Sequence, residues 1–133
     1  MLSAIASEPV PDGPWQEMAA QSFRQRMADG TLAAFVVDGP DAGNLISCVV
    51  GLVEGRIATP ANPTGRLGWV FNVATEPEHR RRGHARACLE SLLDWYRKIG
   101  VTMIDLRTSP DGEALYRSLG FVRTPEPTMR LML

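Results

Sequence analysis

The stretch that decides the fold is Trp69–Ile99, which reads WVFNVATEPEHRRRGHARACLESLLDWYRKI. Its first residues, Trp69–Thr75, are mostly apolar and β-branched and predict a strand. A short loop with Pro77 follows, and from Gly83 onward apolar residues recur at helical spacing. The stretch therefore predicts a strand, a loop and a long helix that begins at that loop.

The head of this helix has the features of an anion site. The first amides of a helix have no intrahelical partners and carry the positive end of the dipole. Gly83 and Ala85 leave room for a phosphate to approach the backbone, and Arg80–Arg82 can add charge-assisted hydrogen bonds. From spacing alone, His79–Arg86 is equally well interpreted as a solvated basic run. Unliganded arginines at this end would cost on the order of a few tenths of a kcal/mol each, which favours an anionic partner.

The rest of the chain predicts further helices and strands around this unit. A helix starts at Asp12-Gly13-Pro14 and ends at Gly30, with an apolar stripe formed by Trp15, Met18, Ala19, Phe23 and Met27. Strands are expected over residues 31–37, 44–53, 67–75 and 101–107, and a short helix after Ser109. An edge strand over residues 4–6, a β-bulge at Gly51 and a final pair of strands over residues 121–123 and 128–133 are also considered. The order predicts an α/β (α+β) fold in which a mixed sheet is flanked by helices.

Length and composition limit the classes of function. The 133 residues are expected to form a single domain, 1–133. The formal net charge of −1 argues against attraction to nucleic acid or acidic membranes. No run approaches the ~20 apolar residues of a membrane span, and residues 1–10 lack the pattern of a signal peptide, so a cytoplasmic location is expected. Cys48 and Cys88 lie in apolar runs and are interpreted as reduced core residues.

Two motifs in this order resemble the GNAT superfamily of N-acetyltransferases. The first is R-x-x-G-x-A over Arg80–Ala85, which follows the predicted strand, and the second is A-L-Y-x-x-L-G-F over Ala114–Phe121. The resemblance covers roughly residues 44–133. It implies a GNAT-like sheet that splays after Thr75 and a single acyl-CoA-binding domain.

The resemblance also implies the cofactor and the residues that bind it. The pantetheine arm of acetyl-CoA would lie in the gap of the sheet and pair with the strand as though it were another strand, while amides of the helix head would hold the pyrophosphate. No metal is implied. The implied acetyl-CoA-binding residues are Val73, Thr75, Arg80, Arg81, Arg82, Gly83, His84, Ala85, Arg86 and Ser109.

Two residues are candidates for catalysis. In enzymes of this family the acceptor amine attacks the thioester directly, and the resemblance implies that Tyr116 protonates the leaving thiolate. A phenol with a pKa near ~10 can donate at neutral pH. The alternative for Tyr116 is a core aromatic beside Leu115 and Leu119. Glu54 is the candidate general base, although an exposed loop carboxylate, with a water chain as the base, is at least as good an interpretation.

The sequence thus predicts an acetyl-CoA-dependent N-acetyltransferase that acts on a primary amine of a small molecule or peptide. The alternative is a catalytically weak module that binds or senses acyl-CoA. Nucleic-acid binding through His79–Arg86 is disfavoured, because the arginines are not interleaved with aromatic residues. The N-terminal part is short for the family, so the acceptor site is expected to be open or completed by a partner chain, and a homodimer is one option.

Overall fold

The computed structural model describes residues 10–133. The strand considered for residues 4–6 therefore lies outside the described residues. The described part contains three α-helices and four β-strands, close to the order expected from the sequence. In chain order they are α1 (Trp15–Ala28), β1 (Leu32–Asp38), β2 (Leu45–Gly55), β3 (Arg66–Thr75), α2 (His84–Lys98), β4 (Met103–Leu106) and α3 (Glu113–Ser118), with 3-10 turns at Pro77–His79 and Pro110–Gly112.

The four strands form one mixed sheet in the order β1-β2-β3-β4. The β1–β2 and β2–β3 pairs are antiparallel, whereas β3 and β4 are parallel. The parallel pairing runs only from Leu67 opposite Met103 to Val70 opposite Leu106. Strand β3 continues to Thr75 without β4 beside it, so the sheet opens at this end. The predicted mixed, splayed sheet flanked by helices is confirmed.

A β-bulge lies in β3 just beyond the last residue that pairs with β4. The register of β2 and β3 shifts between the pairs Val50–Phe71 and Cys48–Ala74, so β3 carries one extra residue opposite Val49. Asn72 at the bulge has a left-handed backbone with φ of 52°. The Cys48 thiol donates to the Asn72 carbonyl at 3.3 Å, which fixes the bulge from the neighbouring strand.

Helix α2 packs on one face of the sheet through its apolar stripe. Four of its buried residues, Cys88, Leu89, Leu92 and Tyr96, form the main core with Val49, Val70, Val101 and Tyr116, and Leu115 and Leu119 pack against this core. The ring of Tyr116 is thus part of the core, as the alternative interpretation expects. The sequence predicts a stripe of Ala85, Cys88, Leu89, Leu92, Tyr96 and Ile99. Of these, Ala85 and Ile99 are half-buried and the other four are buried, and Leu93 is buried in addition. Gly100 closes the helix with φ of 79°.

The ring of Tyr96 lies against two glycines of the sheet. Its hydroxyl donates to the carbonyl of Leu52 at 2.8 Å or to that of Trp69 at 3.2 Å, and Leu52 and Trp69 are opposite each other in β2 and β3. A Cβ on Gly51 would lie 2.5 Å from the Tyr96 hydroxyl, and one on Gly68 would lie 2.8 Å from its ring. The prediction of a bulge at Gly51 is wrong, because this glycine pairs in register and instead makes room for Tyr96.

Helix α1 lies on the other face of the sheet and is poorly buried. Since side chains alternate along a strand, Cys48 and Val50 face away from α2 and toward α1. The helix is present as predicted, but none of its residues is buried, and Met18 and Met27 are 71% and 51% exposed. The groove between α1 and the sheet has a volume of about 500 Å³ and is almost wholly apolar.

The final pair of strands predicted over residues 121–123 and 128–133 is wrong. The backbone after Gly120 is irregular, and the large apolar side chains of its last residues are exposed. An apolar segment of this kind forms a strand only where a sheet edge pairs with it, and this segment pairs with none of the described strands. Within the described residues, no helix is both long and apolar enough to cross a membrane.

Candidate functional site

The head of α2 is open and uncapped. Gly83 precedes the helix in a left-handed conformation with φ of 82°, and among the described residues no side chain caps the helix. A Cβ built on Gly83 would meet nothing within 4 Å. Arg81 is also left-handed, with φ of 61°. Left-handed positions of this kind turn successive amides toward one concave surface, which suits an anion.

A cavity of about 710 Å³ lies at this helix head, between the end of β3 and the loop before α3. Among the residues predicted to bind acetyl-CoA, all but Arg82 line it. Its lining from this set is Val73, Thr75, Arg80, Arg81, Gly83, His84, Ala85, Arg86 and Ser109. Arg82 is exposed and lies outside this lining. The structure therefore brings together residues from a strand, a loop, a helix head and a second loop.

The arginines of this cavity differ in their partners. Arg80 donates through Nε to the Thr75 carbonyl at 3.2 Å. Arg86 donates to Glu90 at 3.3 Å and to the Ser118 hydroxyl, which ties α2 to α3. Within residues 10–133, Arg81 forms no ion pair and its side chain is exposed. Asp111 is the acidic residue in the lining, so the cavity carries an excess of positive charge.

The open end of β3 lies between this cavity and the groove beside α1. Val73 and Thr75 line the cavity, Asn72 lines the groove on the opposite face, and Ala74 lines both. Because β4 does not pair with this part of β3, one edge of the strand offers backbone donors and acceptors. An extended chain could pair with that edge in the manner of an added strand.

Tyr116 lies in a second cavity of about 600 Å³ on the far side of the loop before α3. Its side chain is 9% exposed, and its ring meets that of Phe121 edge to face at 6.0 Å between centroids. Burial raises the pKa of the Tyr116 phenol, so it stays protonated at neutral pH. Its hydroxyl has no hydrogen-bond partner within residues 10–133, yet it is not sealed from solvent. An unpaired phenol in an open cavity can donate a proton to a bound group.

Asp105 is a site residue that the sequence analysis missed. It lies on β4 directly opposite Trp69, is half-buried and lines the same cavity as Tyr116. In the described part of the chain, its carboxylate has neither a hydrogen bond nor an ion pair. The available signal was a single acidic residue among the apolar residues Met103, Ile104 and Leu106 of the predicted strand. Arg107 lies over the ring of Trp69 at 5.6 Å in the same cavity.

Glu54 lies apart from both cavities. It is opposite Leu67, at the end of β3 far from the bulge, and its carboxylate accepts a hydrogen bond from Arg56 at 2.9 Å. None of the cavities described above includes Glu54 in its lining. Its role as a general base stays a prediction, and Asp105 is a second candidate.

Comparisons with known proteins agree with this geometry. The family model for the acetyltransferase (GNAT) family matches residues 2–121. A curated relative, N-acetyltransferase 8F1 of Rattus norvegicus, is 31% identical over 119 residues, which cover 84% of this chain and 52% of that protein. A second, the [ribosomal protein bS18]-alanine N-acetyltransferase of Escherichia coli K12, is 42% identical over 55 residues, 39% of this chain and 37% of that protein.

The chain spans about half or less of the length of these curated relatives. Solved structures share the fold along most of the chain. A predicted acetyltransferase of Clostridium acetobutylicum, crystallised with acetyl-CoA, has a TM-score of 0.80 at 24% identity, covering 92% of this chain and 79% of its own. Glucosamine-6-phosphate N-acetyltransferase of Arabidopsis thaliana has a TM-score of 0.75 at 15% identity, covering 92% and 82%.

Proposed function

Since the chain belongs to the GNAT family of acetyltransferases, we propose that it transfers an acetyl group from acetyl-CoA to a primary amine of a small molecule or peptide. One observation carries the proposal. The open head of α2 and the edge of β3 that β4 leaves uncovered line one cavity, and the Tyr116 phenol lies in a second cavity across the loop before α3.

The residues around the helix head fit acetyl-CoA. Gly83 leaves open space at the first amides of α2, and Arg81 has no ion pair within the described residues, so both can contact a diphosphate. The edge of β3 that β4 leaves uncovered at Val73 and Thr75 can pair with the amide groups of a pantetheine arm, which would exchange the hydrogen bond from Arg80 to the Thr75 carbonyl for one from the arm. When bound, acetyl-CoA supplies an acetyl group activated as a thioester.

The second cavity holds the residues proposed for the reaction. The amine nitrogen attacks the thioester carbonyl carbon directly, the carbon–sulfur bond breaks, and no acyl-enzyme forms. Tyr116 gives its proton to the leaving sulfur. Burial raises the pKa of this phenol, which keeps it protonated at neutral pH without making it a stronger acid. A carboxylate takes the proton that the amine loses. Asp105 is the candidate for this role that shares the cavity with Tyr116, and Glu54 is the candidate from the sequence.

Two measurements on the same chain test the proposal. Isothermal titration with acetyl-CoA is expected to show binding, and an absence of binding at millimolar acetyl-CoA would contradict it. A thiol-detecting dye is then used with acetyl-CoA and a panel of amines. Because one relative is named for the alanine of a ribosomal protein, the panel includes peptides that begin with alanine. Amine-dependent release of thiol supports transfer, whereas binding without turnover supports an acyl-CoA-binding module instead.

A further inference from the structure

Arg107 is a cation held beside the sheet in the cavity of Tyr116. Its guanidinium lies over the ring of Trp69 at 5.6 Å from the ring centroid. Within residues 10–133 its side chain forms neither an ion pair nor a hydrogen bond. A guanidinium stacked on a ring keeps its N–H groups at its edge. Arg107 can therefore bind an anion while Trp69 holds it in place.

Asp105 lies on the same face of the sheet as this guanidinium. It is directly opposite Trp69 in the register of β3 and β4, and side chains opposite each other share a face. Asp105 and Arg107 are two positions apart, which is roughly 6–7 Å between Cα atoms in an extended chain. They do not pair with each other in the described part of the chain. A ligand can therefore lie between a carboxylate and a guanidinium that both lack partners.

The other charged groups that line this cavity are arranged differently. Glu113 accepts hydrogen bonds from Arg117 and from Arg123, so these three side chains are engaged with one another. Glu126 is exposed and belongs to the segment that follows α3. The sheet side of the cavity thus presents one carboxylate and one guanidinium to a bound molecule.

A guanidinium without a partner restricts which amines suit the cavity. A primary amine is mostly protonated in neutral solution, so Arg107 repels it. An acceptor that carries its own anionic group turns this repulsion into attraction. A guanidinium offers two parallel N–H donors to a carboxylate, and Asp105 can accept a hydrogen bond from the amine.

We infer that the acceptor is a free amino acid, or a similar small molecule whose carboxylate lies a few bonds from its amine. Arg107 binds the carboxylate, and Asp105 faces the amine. A peptide N-terminus has an amide where this carboxylate would be, and a simple amine has no anionic group, so both are poorer acceptors. The inference rests on the acetyl transfer proposed above and narrows its acceptor.

The test measures kcat/KM by thiol release for free amino acids and for the matched amino-acid amides, such as alanine and alaninamide. The two members of a pair differ in the carboxylate and share the side chain. The parent is expected to prefer the acid by at least about tenfold, and Arg107→Gln is expected to lower this preference at least about tenfold, chiefly through KM for the acid. Because every chain receives the same pairs, differences in basicity between acid and amide cancel between chains.

Two further variants separate charge from geometry. Arg107→Lys keeps the positive charge without the planar fork, so its preference for the acid should lie between those of the parent and Arg107→Gln. Arg97→Gln removes one positive charge at the far end of α2 and should keep the parent's preference. Circular dichroism checks that each chain folds, and Arg107→Lys provides the comparison if Arg107→Gln does not.

The outcomes distinguish this inference from the proposed transfer. A parent chain that uses amides or peptides as well as the free acids would overturn the inference and leave the transfer in place. A preference for the acid that Arg107→Gln retains would also overturn it, because another group would then bind the carboxylate. If no amine of any kind supports thiol release, the proposed transfer itself fails, and the inference fails with it.

Discussion

Tyr116 combines a buried ring with a hydroxyl that lacks a partner in the described part of the chain. Tyr116→Phe keeps the ring and removes the proton, so we expect amine-dependent thiol release to fall on the order of a hundredfold. Binding of acetyl-CoA in isothermal titration should remain, since the phenol is proposed to act on the leaving sulfur. Full turnover in the variant would remove Tyr116 from the proposed mechanism.

The pH dependence of turnover offers a separate prediction for the same residue. Burial raises the pKa of Tyr116 above its ordinary value of about 10, so the fraction that can donate a proton stays complete through mildly alkaline pH. We therefore expect no loss of kcat from this group between neutral pH and about pH 9. A fall in kcat that begins within that range, and that is absent from Tyr116→Phe, would contradict the assignment.

Asp105 and Glu54 are distinguished by a matched pair of variants. Asp105→Asn removes a carboxylate that shares a cavity with Tyr116, and Glu54→Gln removes one that is paired with Arg56. If Asp105 takes the amine proton, its variant should lose about a hundredfold in kcat/KM, while Glu54→Gln stays close to the parent. The reverse order of losses in a thiol-release assay would favour Glu54 as the base.

The sequence was informative about the candidate site where a local motif was present. The open helix head and the position of Tyr116 could be predicted because each lies within one short motif, Arg80–Ala85 and Ala114–Phe121. Asp105 was missed because its relation to Tyr116 depends on how β4 and α3 pack. The bulge at Asn72 was missed for a similar reason, since a register shift is a property of two strands and neither shows it alone.

At the scale of elements, two glycines allow α2 to approach the sheet. Gly51→Ala and Gly68→Ala each place a Cβ within 3 Å of Tyr96, whose side chain is fully buried. We expect each to lower the free energy of unfolding by about 1–3 kcal/mol, measured by urea denaturation. Gly55→Ala, at the end of β2, is the control because its Cβ would meet nothing within 4 Å, and its effect should stay within about 0.5 kcal/mol. Equal effects at the three glycines would refute the packing explanation.

The two ends of α2 should respond differently to a reversed charge. Arg81→Glu places a negative charge at the open helix head, so we expect the Kd for acetyl-CoA to rise at least about tenfold. Arg97→Glu changes an exposed arginine at the other end of the same helix, which is paired with Asp94, and should leave the Kd nearly unchanged. Similar losses in both variants would mean that net charge, and not the helix head, determines binding.

The elements that were predicted well have a buried face. The stripe of α2 is both periodic and buried, so the sequence pattern and the packing agree. For α1 the stripe predicted the helix but not its environment, because nothing in the local sequence tells whether another element covers Met18 or Met27. The strands expected over residues 121–123 and 128–133 failed for the same reason, because whether a segment pairs with a sheet edge is not written in its own sequence.

At the scale of the whole molecule, Glu113 connects α3 to the segment that follows it. Hydrogen bonds from Arg123, and then from Arg117, hold the pKa of Glu113 at about 2. Because the folded pKa is below the unfolded value of about 4.3, the stabilisation is complete above that value and is lost as the pH falls toward 2. Thermal melts should therefore show a loss of Tm over this window that is smaller in Glu113→Gln. An identical pH profile in both chains would show that this tether does not contribute.

The hydroxyl of Tyr96 reaches β2 and β3 just before β3 parts from β4. A ligand bound between β3 and β4 beyond Val70 lies next to the paired part of these strands, and α2 holds β2 and β3 together there through the Tyr96 hydroxyl. The distance between β3 and β4 can therefore increase beyond Val70 while the backbone pairs from Leu67–Met103 to Val70–Leu106 stay formed. The first half of β3 thus belongs to the folded core, and its second half is free to adapt to a ligand.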